Sequence, residues 1–139
     1  PVHPNPNVLG PAQELLSDHP RIHLTDPVGY FDLVAALDAA SLILTDSGGI
    51  QEEAPTFGTP VLVLREVTER PEGVDAGVAE LVGTDGGRIL ERARSILSRA
   101  QETLPATNPY GDGLAGKRIA DIVAAVLLGR PRTTEDWGA

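Results

Sequence analysis

Residues 42–54 read Leu42-Ile43-Leu44-Thr45-Asp46-Ser47-Gly48-Gly49-Ile50-Gln51-Glu52-Glu53-Ala54, and this stretch decides the fold. Its first part is an aliphatic run typical of a buried strand, and its last part is predicted to be helical. A Ser-Gly-Gly turn joins the two. A strand that runs through so short a turn into a helix is typical of a parallel α/β sheet.

The rest of the chain repeats this alternation of short apolar runs and longer amphipathic stretches. We predict strands at residues 21–25, 41–46, 61–64 and 78–82, and helices at 8–17, 30–40, 49–57, 85–100 and 114–128. The continuous aliphatic run at 61–64 is typical of a strand buried on both faces of a parallel sheet. Residues 1–3 fit the carboxyl end of a further strand. The pattern predicts a Rossmann-like, doubly wound parallel sheet with helices on both faces.

Helical periodicity also predicts which side chains turn inward. They are Phe31, Leu33, Val34 and Leu37 in the second helix; Ile89, Leu90, Ala93, Ile96 and Leu97 in the fourth; and Ile119, Ile122, Val123, Val126 and Leu127 in the last. Two loops, 65–77 and 103–113, are long and polar, and ligands of such folds bind at loops of this kind. We predict one domain over residues 1–128 and a tail at 129–139.

Composition excludes several classes of protein. A chain of 139 residues without cysteine has no disulfides, thiolate metal sites or Cys nucleophile, which fits a cytoplasmic protein. Its net charge of −9 disfavours nucleic acid and anionic membrane surfaces as partners. No apolar run is long enough for a membrane span. Because methionine is absent even from position 1, we expect this chain to be a piece of a longer one.

The Ser-Gly-Gly turn has the composition of a phosphate site. Free N–H groups of a helix's first turn attract anions, and Gly48 and Gly49 let a ligand approach the backbone. The Ser47 hydroxyl can donate to the ligand or cap the helix instead. Glu53 lies one turn further along, where a carboxylate can accept both hydroxyls of a ribose. The alternative for Glu52 and Glu53 is the general preference of acidic residues for a first helical turn.

Arg70 and the histidines are the remaining candidates. Arg70 follows the most buried strand and suits a diphosphate clamp, or else a surface ion pair with Glu69 or Glu72. His3 ends a predicted strand and can face a ligand, whereas His19 and His23 fit a surface position. No histidine pair has metal-ligand spacing, so no metal site is expected.

Five blocks of this sequence, in order, resemble the carboxyl-terminal part of the bacterial non-hydrolysing UDP-N-acetylglucosamine 2-epimerases. The blocks are residues 1–8 (PVHPNPNV), 44–55 (LTDSGGIQEEAP), 60–65 (PVLVLR), 68–72 (TERPE) and 108–113 (NPYGDG). The resemblance implies part of the second half of a GT-B type two-domain fold, whose first strand and amino-terminal domain would lie upstream of Pro1.

Site residues are carried over from the family by position. The resemblance implies that Ser47, Gly48 and Gly49 bind the diphosphate, Glu53 the ribose, and Arg70 the phosphate-proximal part of the substrate. It also implies that Val28 and Leu33 lie near the uracil, and that His3 lies near a second, activating UDP-sugar site. Some family members carry an aromatic residue in place of Leu33.

The reaction implied is inversion at sugar carbon 2, through elimination of UDP and its re-addition. The family's acid/base residues match nothing in this segment, so no catalytic residue and no cofactor are expected here, and the chain alone is expected to be inactive. The resemblance further implies a cytoplasmic homodimer that serves cell-envelope polysaccharide synthesis. The alternatives are a UDP-sugar-dependent glycosyltransferase of GT-B type and a non-catalytic nucleotide-sugar-binding module.

Overall fold

The computed structural model describes residues 1–99 and 108–138 of the chain, and these fall into two compact units, 1–39 and 40–139. The helices are α1 (Pro6–Leu16), α2 (Tyr30–Ala39), α3 (Gly48–Glu53), α4 (Pro71–Asp75), α5 (Gly86–Ser98) and α6 (Ala115–Leu128), and the strands are β1 (Ile43–Thr45), β2 (Val61–Val63) and β3 (Ala79–Leu81). The α/β class predicted from the sequence is confirmed.

The sheet of the second unit is parallel and has the order β1-β2-β3. The central strand β2 is the most buried element, with Val61, Leu62 and Val63 at 2%, 0% and 0% exposure. An aliphatic run buried on both faces is what the sequence predicts for a parallel strand. Since all three strands point the same way, the segments that follow them meet at one edge of the sheet.

The first helix of this edge follows β1 almost directly. Helix α3 continues into a 3₁₀ turn, Ala54–Phe57, which ends at Gly58 in the left-handed conformation with φ of 67°. A residue without a Cβ adopts that conformation at no steric cost. The predicted helix at 49–57 is thus present in two parts.

Two predictions about secondary structure are wrong. Residues 21–25 form no strand: the Val2 N–H donates to the Thr25 carbonyl at 2.8 Å, and the Ile22 N–H donates to the nearby His19 carbonyl at 3.0 Å, but these two bonds do not make a ladder. The loop 65–77 contains α4, which opens with Pro71 at its amino end. A helix of five residues is too short to show a hydrophobic period.

The predicted inward faces are only partly buried. Leu37 is buried, but Phe31 of the same helix is 86% exposed. On α5, Leu90 and Leu97 are 50% and 58% exposed. On α6 every residue predicted to turn inward is exposed, from 40% at Ile122 to 76% at Val126. Periodicity identifies an apolar stripe, but a stripe is buried only where another element covers it.

The segment after α6 has no helix or strand up to residue 138, but it is bonded to that helix. The Asp121 carboxylate accepts from the backbone N–H groups of Thr133 and Thr134, at 2.8 and 2.7 Å, and from both hydroxyls. Arg118 donates to the Glu135 carbonyl at 2.9 Å. The division into a domain at 1–128 and a tail stays a prediction.

Candidate functional site

The Ser-Gly-Gly turn lies at the carboxyl end of β1, where Ser47 is the residue before α3. Its backbone N–H donates to the Thr45 hydroxyl at 3.0 Å, which fixes the turn against the strand. The Ser47 side chain makes no capping bond to α3, and it is exposed. The hydroxyl is therefore available as a donor at the start of the helix.

Arg70 reaches this turn from the loop after β2. A Cβ added at Gly48 would lie 3.3 Å from the Arg70 Cζ and 3.2 Å from a Glu69 carboxylate oxygen. A glycine at position 48 thus leaves the space that the guanidinium needs. The sequence placed Ser47, Gly48 and Arg70 in one candidate site, and the structure does bring these three residues together.

Arg70 is held by two carboxylates. Its Nε donates to Glu52 Oε1 at 2.6 Å, and its Nη1 lies 3.1 Å from Glu69 Oε1. The surface-pair alternative named Glu69 correctly and missed Glu52. Because the Arg70 side chain is 31% exposed and its partners are more exposed still, these pairs restrain the guanidinium weakly. Arginine carries five N–H donors, so two pairs leave donors for an anion.

Arg70 and Glu69 shift one another's pKa values toward the ionised forms. The hydrogen bond that Arg70 donates to Glu52 raises the pKa of Arg70, and the nearby carboxylates of Glu52 and Glu69 add to that shift. A backbone hydrogen bond lowers the pKa of Glu69, with Arg65 and Arg70 contributing. Both residues therefore stay ionised around neutral pH, and Arg70 presents a positive charge beside Gly48.

Gln51 and Thr68, for which the sequence predicts no role, connect the turn to the loop that carries Arg70. Gln51 is 1% exposed; its Nε2 donates to the Ser47 carbonyl at 3.2 Å, and its Oε1 accepts from the Thr68 hydroxyl at 2.7 Å. The Thr68 hydroxyl oxygen also accepts the Arg70 N–H at 3.1 Å. The signal in the sequence is the glutamine itself, in the short helix that follows the Ser-Gly-Gly turn.

A second connection comes from the Asn-Pro-Tyr segment. Asn108 Nδ2 donates to the Glu52 carbonyl at 3.1 Å and to the Thr56 hydroxyl at 2.8 Å. The Tyr110 hydroxyl accepts the Gly73 N–H at 2.9 Å and donates to the Arg70 carbonyl at 3.1 Å. Burial raises the pKa of Tyr110, so the hydroxyl keeps its proton. The predicted loop 103–113 is described only from residue 108 onward.

Glu53 carries an unpartnered acceptor. Its Oε2 is buried and, within the described part of the chain, has no hydrogen-bond partner. A buried carboxylate oxygen without a donor is costly. Glu53 also lines an open cleft of about 770 Å³. The other residues of that cleft are Glu52, Thr56, Asn108, Tyr110, Gly111, Asp112, Gly113, Ala115, Arg118 and Trp137.

Three candidate residues belong to the unit 1–39 and are described within it. His3 is exposed, and its Nδ1 accepts the Asn5 N–H at 3.2 Å. Val28 is 38% exposed, and Leu33 is half-buried on α2. The roles predicted for these three residues stay predictions.

The described residues hold neither a metal-binding cluster nor a membrane-spanning helix. Over 1–99 and 108–138, no three His, Cys, Asp or Glu side chains converge in a way that could hold a metal ion. In that same part of the chain, no helix combines the length and the apolarity that a membrane span requires.

The fold and its polar edge define a class: this is a Rossmann-like parallel α/β unit of the GT-B type. The family model described as UDP-N-acetylglucosamine 2-epimerase matches residues 1–124. The chain belongs to the UDP-N-acetylglucosamine 2-epimerase family. Its resemblance to that family, inferred from five sequence blocks, is confirmed.

Individual relatives agree with the family match. The UDP-N-acetylglucosamine 2-epimerase of Escherichia coli K12 is 51% identical over 124 residues, which are 87% of this chain and 33% of that protein. A UDP co-structure from S. aureus is similar with a TM-score of 0.86 and 42% identity, covering 98% of this chain and 38% of that one. The UDP-GlcNAc 2-epimerase from Neisseria meningitidis, bound to UDP-GlcNAc, has a TM-score of 0.77 and 44% identity, covering 94% and 35%. The chain thus spans about a third of these relatives.

Proposed function

We propose that this chain supplies the UDP-binding part of an enzyme that interconverts UDP-N-acetylglucosamine and UDP-N-acetylmannosamine. The observation that carries the proposal is the convergence of Arg70 on the Ser47-Gly48 turn at the carboxyl edge of a parallel sheet. That arrangement suits a diphosphate. Solved relatives with UDP or UDP-GlcNAc bound support the choice of nucleotide.

In this proposal, the groups at the turn, Arg70 and Glu53 each bind a different part of UDP or share its diphosphate. The N–H groups at Gly48 and Gly49, the Ser47 hydroxyl and the Arg70 guanidinium bind the diphosphate oxygens. The unpartnered Glu53 Oε2 accepts from the ribose hydroxyls, which satisfies its missing bond. Val28 and Leu33 would lie by the uracil, and His3 by a second UDP-sugar.

The chemistry needs a leaving group that is well stabilised. A base removes the proton on sugar carbon 2, the bond from carbon 1 to the UDP oxygen breaks, and a glycal remains. UDP then adds back at carbon 1 while carbon 2 is protonated on its other face. The departing UDP carries additional negative charge in the transition state, and Arg70 and the turn donors would stabilise it there. The base and acid are expected outside this chain.

We also propose, from the family resemblance, that the protein acts as a cytoplasmic homodimer in cell-envelope polysaccharide synthesis. The absence of cysteine is compatible with a reducing compartment. Sedimentation of the full-length protein would test the dimer, since a monomer at micromolar concentration would contradict it.

Calorimetric titration of the chain with UDP tests the proposed binding, with UMP and ADP as controls. Saturable binding of UDP, weakened by Ser47→Ala, is the expected result. A folded chain that does not bind UDP would contradict the proposal for this segment. The activity is tested by incubating the full-length protein with UDP-N-acetylglucosamine and detecting UDP-N-acetylmannosamine; UDP release only with an added acceptor would indicate a glycosyltransferase instead.

A further inference from the structure

The buried side chain of Gln51 connects two segments that the proposed diphosphate site requires together. An amide at 1% exposure is costly unless it is hydrogen-bonded, and here both of its ends are bonded. Its Nε2 donates to the Ser47 carbonyl at 3.2 Å, and its Oε1 accepts from the Thr68 hydroxyl at 2.7 Å. The bond to Thr68 spans 17 residues of sequence, so it joins α3 to the loop after β2.

Thr68 is in turn hydrogen-bonded to the backbone of Arg70. Its hydroxyl donates its proton to Gln51 and accepts the Arg70 N–H, at 3.1 Å, on its own oxygen. Three hydrogen bonds thus run in line from the carbonyl of Ser47 to the backbone of Arg70. The ion pairs at the far end of the Arg70 side chain are partly exposed and hold it weakly. The backbone of Arg70 is therefore fixed more firmly than its guanidinium.

We propose that Gln51 and Thr68 are positioning residues that set the distance between the Ser47-Gly48 turn and Arg70, and thereby the affinity for the UDP diphosphate. The proposal rests on the proposed function, because it assumes that both elements bind one ligand. Neither side chain needs to touch UDP. A diphosphate bridging the turn and the guanidinium is bound well only when the two are held at a matching separation, and this line of bonds fixes that separation before the ligand arrives.

The test compares two substitutions at Thr68 by calorimetric titration with UDP. Thr68→Val keeps the shape but removes both the donor to Gln51 and the acceptor for the Arg70 N–H, so UDP affinity should fall about tenfold, which matches the upper end of what one neutral hydrogen bond contributes. Thr68→Ser keeps the hydroxyl and should restore affinity to within about twofold of wild type. Thr133→Val is the matched control, because it removes a hydroxyl that donates to a carboxylate at 3.2 Å.

Gln51→Leu provides a second, independent variant. If Gln51 and Thr68 act through one line of bonds, the double variant Gln51→Leu/Thr68→Val should lose no more UDP affinity than either single variant. Additive losses would overturn the proposal. Circular dichroism and thermal melting of each variant show whether it is folded, and if Gln51→Leu is not, the Thr68 variants decide alone.

Failure of the positioning role and failure of the proposed function give different results in the same titration. If the wild-type chain binds UDP and folded Thr68→Val binds it equally well, the positioning role is overturned and the proposed function stands. If Thr68→Val lowers the melting temperature while its affinity is unchanged, the bonds serve folding only, which also overturns the proposal. If the folded wild-type chain does not bind UDP, the proposed function of this segment fails, and the inference fails with it.

Discussion

Replacing Glu53 by leucine is expected to stabilise the free protein and, in the same variant, to weaken UDP binding. The Glu53 Oε2 is buried, and in residues 1–99 and 108–138 nothing donates to it. A buried acceptor left without a donor costs about 1–3 kcal/mol, and the lower end applies because Glu53 is only half-buried. Leucine has a similar volume and no polar atom to satisfy, so about 1 kcal/mol should be regained.

The gain in stability corresponds to a rise in melting temperature of roughly 3–5 °C for a chain of this size. The loss in binding follows from the proposed bonds between Glu53 and the ribose hydroxyls, since a hydrogen bond to a charged group contributes about 1.5–3 kcal/mol. UDP affinity should therefore fall roughly 10- to 100-fold. Thermal melting without ligand and calorimetric titration with UDP measure the two effects on the same preparation.

Two control substitutions separate this reasoning from general effects of removing a negative charge. Glu52→Leu makes the same change one residue earlier but breaks the pair with Arg70, so it should bring no gain in melting temperature. Glu91→Leu makes it at an exposed position on α5 and should leave UDP affinity unchanged. If Glu53→Leu melts below wild type and binds UDP as tightly, the reasoning about the unpartnered oxygen is refuted.

Two further predictions concern bonds outside the turn. Tyr110→Phe should lower the free energy of unfolding by about 1–3 kcal/mol, because the buried N–H of Gly73 loses its acceptor; urea titration measures this, and an unchanged midpoint would contradict it. The backbone N–H of Thr133 and the two hydrogen bonds of Thr134 lower the pKa of Asp121 to about 2, so their stabilisation is complete above the unfolded pKa near 3.8 and is lost as the pH falls through about 2. Trp137 fluorescence should report that release, and Asp121→Ala, which leaves no side-chain acceptor at this position, should show the released signal already at neutral pH.

The sequence was sufficient to predict the strands and helices around β2 because their signals are local. An aliphatic run such as 61–64 and a turn such as 47–49 are recognisable within a few residues. The same holds for Arg70, whose place above the turn follows from the rule that parallel strands end at one edge.

The side-chain partners were not predictable in the same way. From the sequence, Glu52 fits the preference of acidic residues for a first helical turn, but its side chain pairs with Arg70, 18 residues away. The sequence predicts no structural role for Gln51 and Tyr110, because their hydrogen bonds depend on how segments far apart in sequence approach one another. The burial predicted for the apolar stripe of α6 is wrong for a different reason: periodicity shows that a face is apolar, but not whether another element covers it.

The bonds of Asn108 and Tyr110 also bear on the order in which the molecule is assembled. All three strands lie between residues 43 and 81, so the sheet can form from contacts that are close in sequence. Asn108 and Tyr110 reach back 56 and 40 residues to Glu52 and Arg70. Closing a longer loop costs more chain entropy and is slower. Ribosomal synthesis would therefore produce the sheet first and the bonds that order the candidate site last, after residue 110 has emerged.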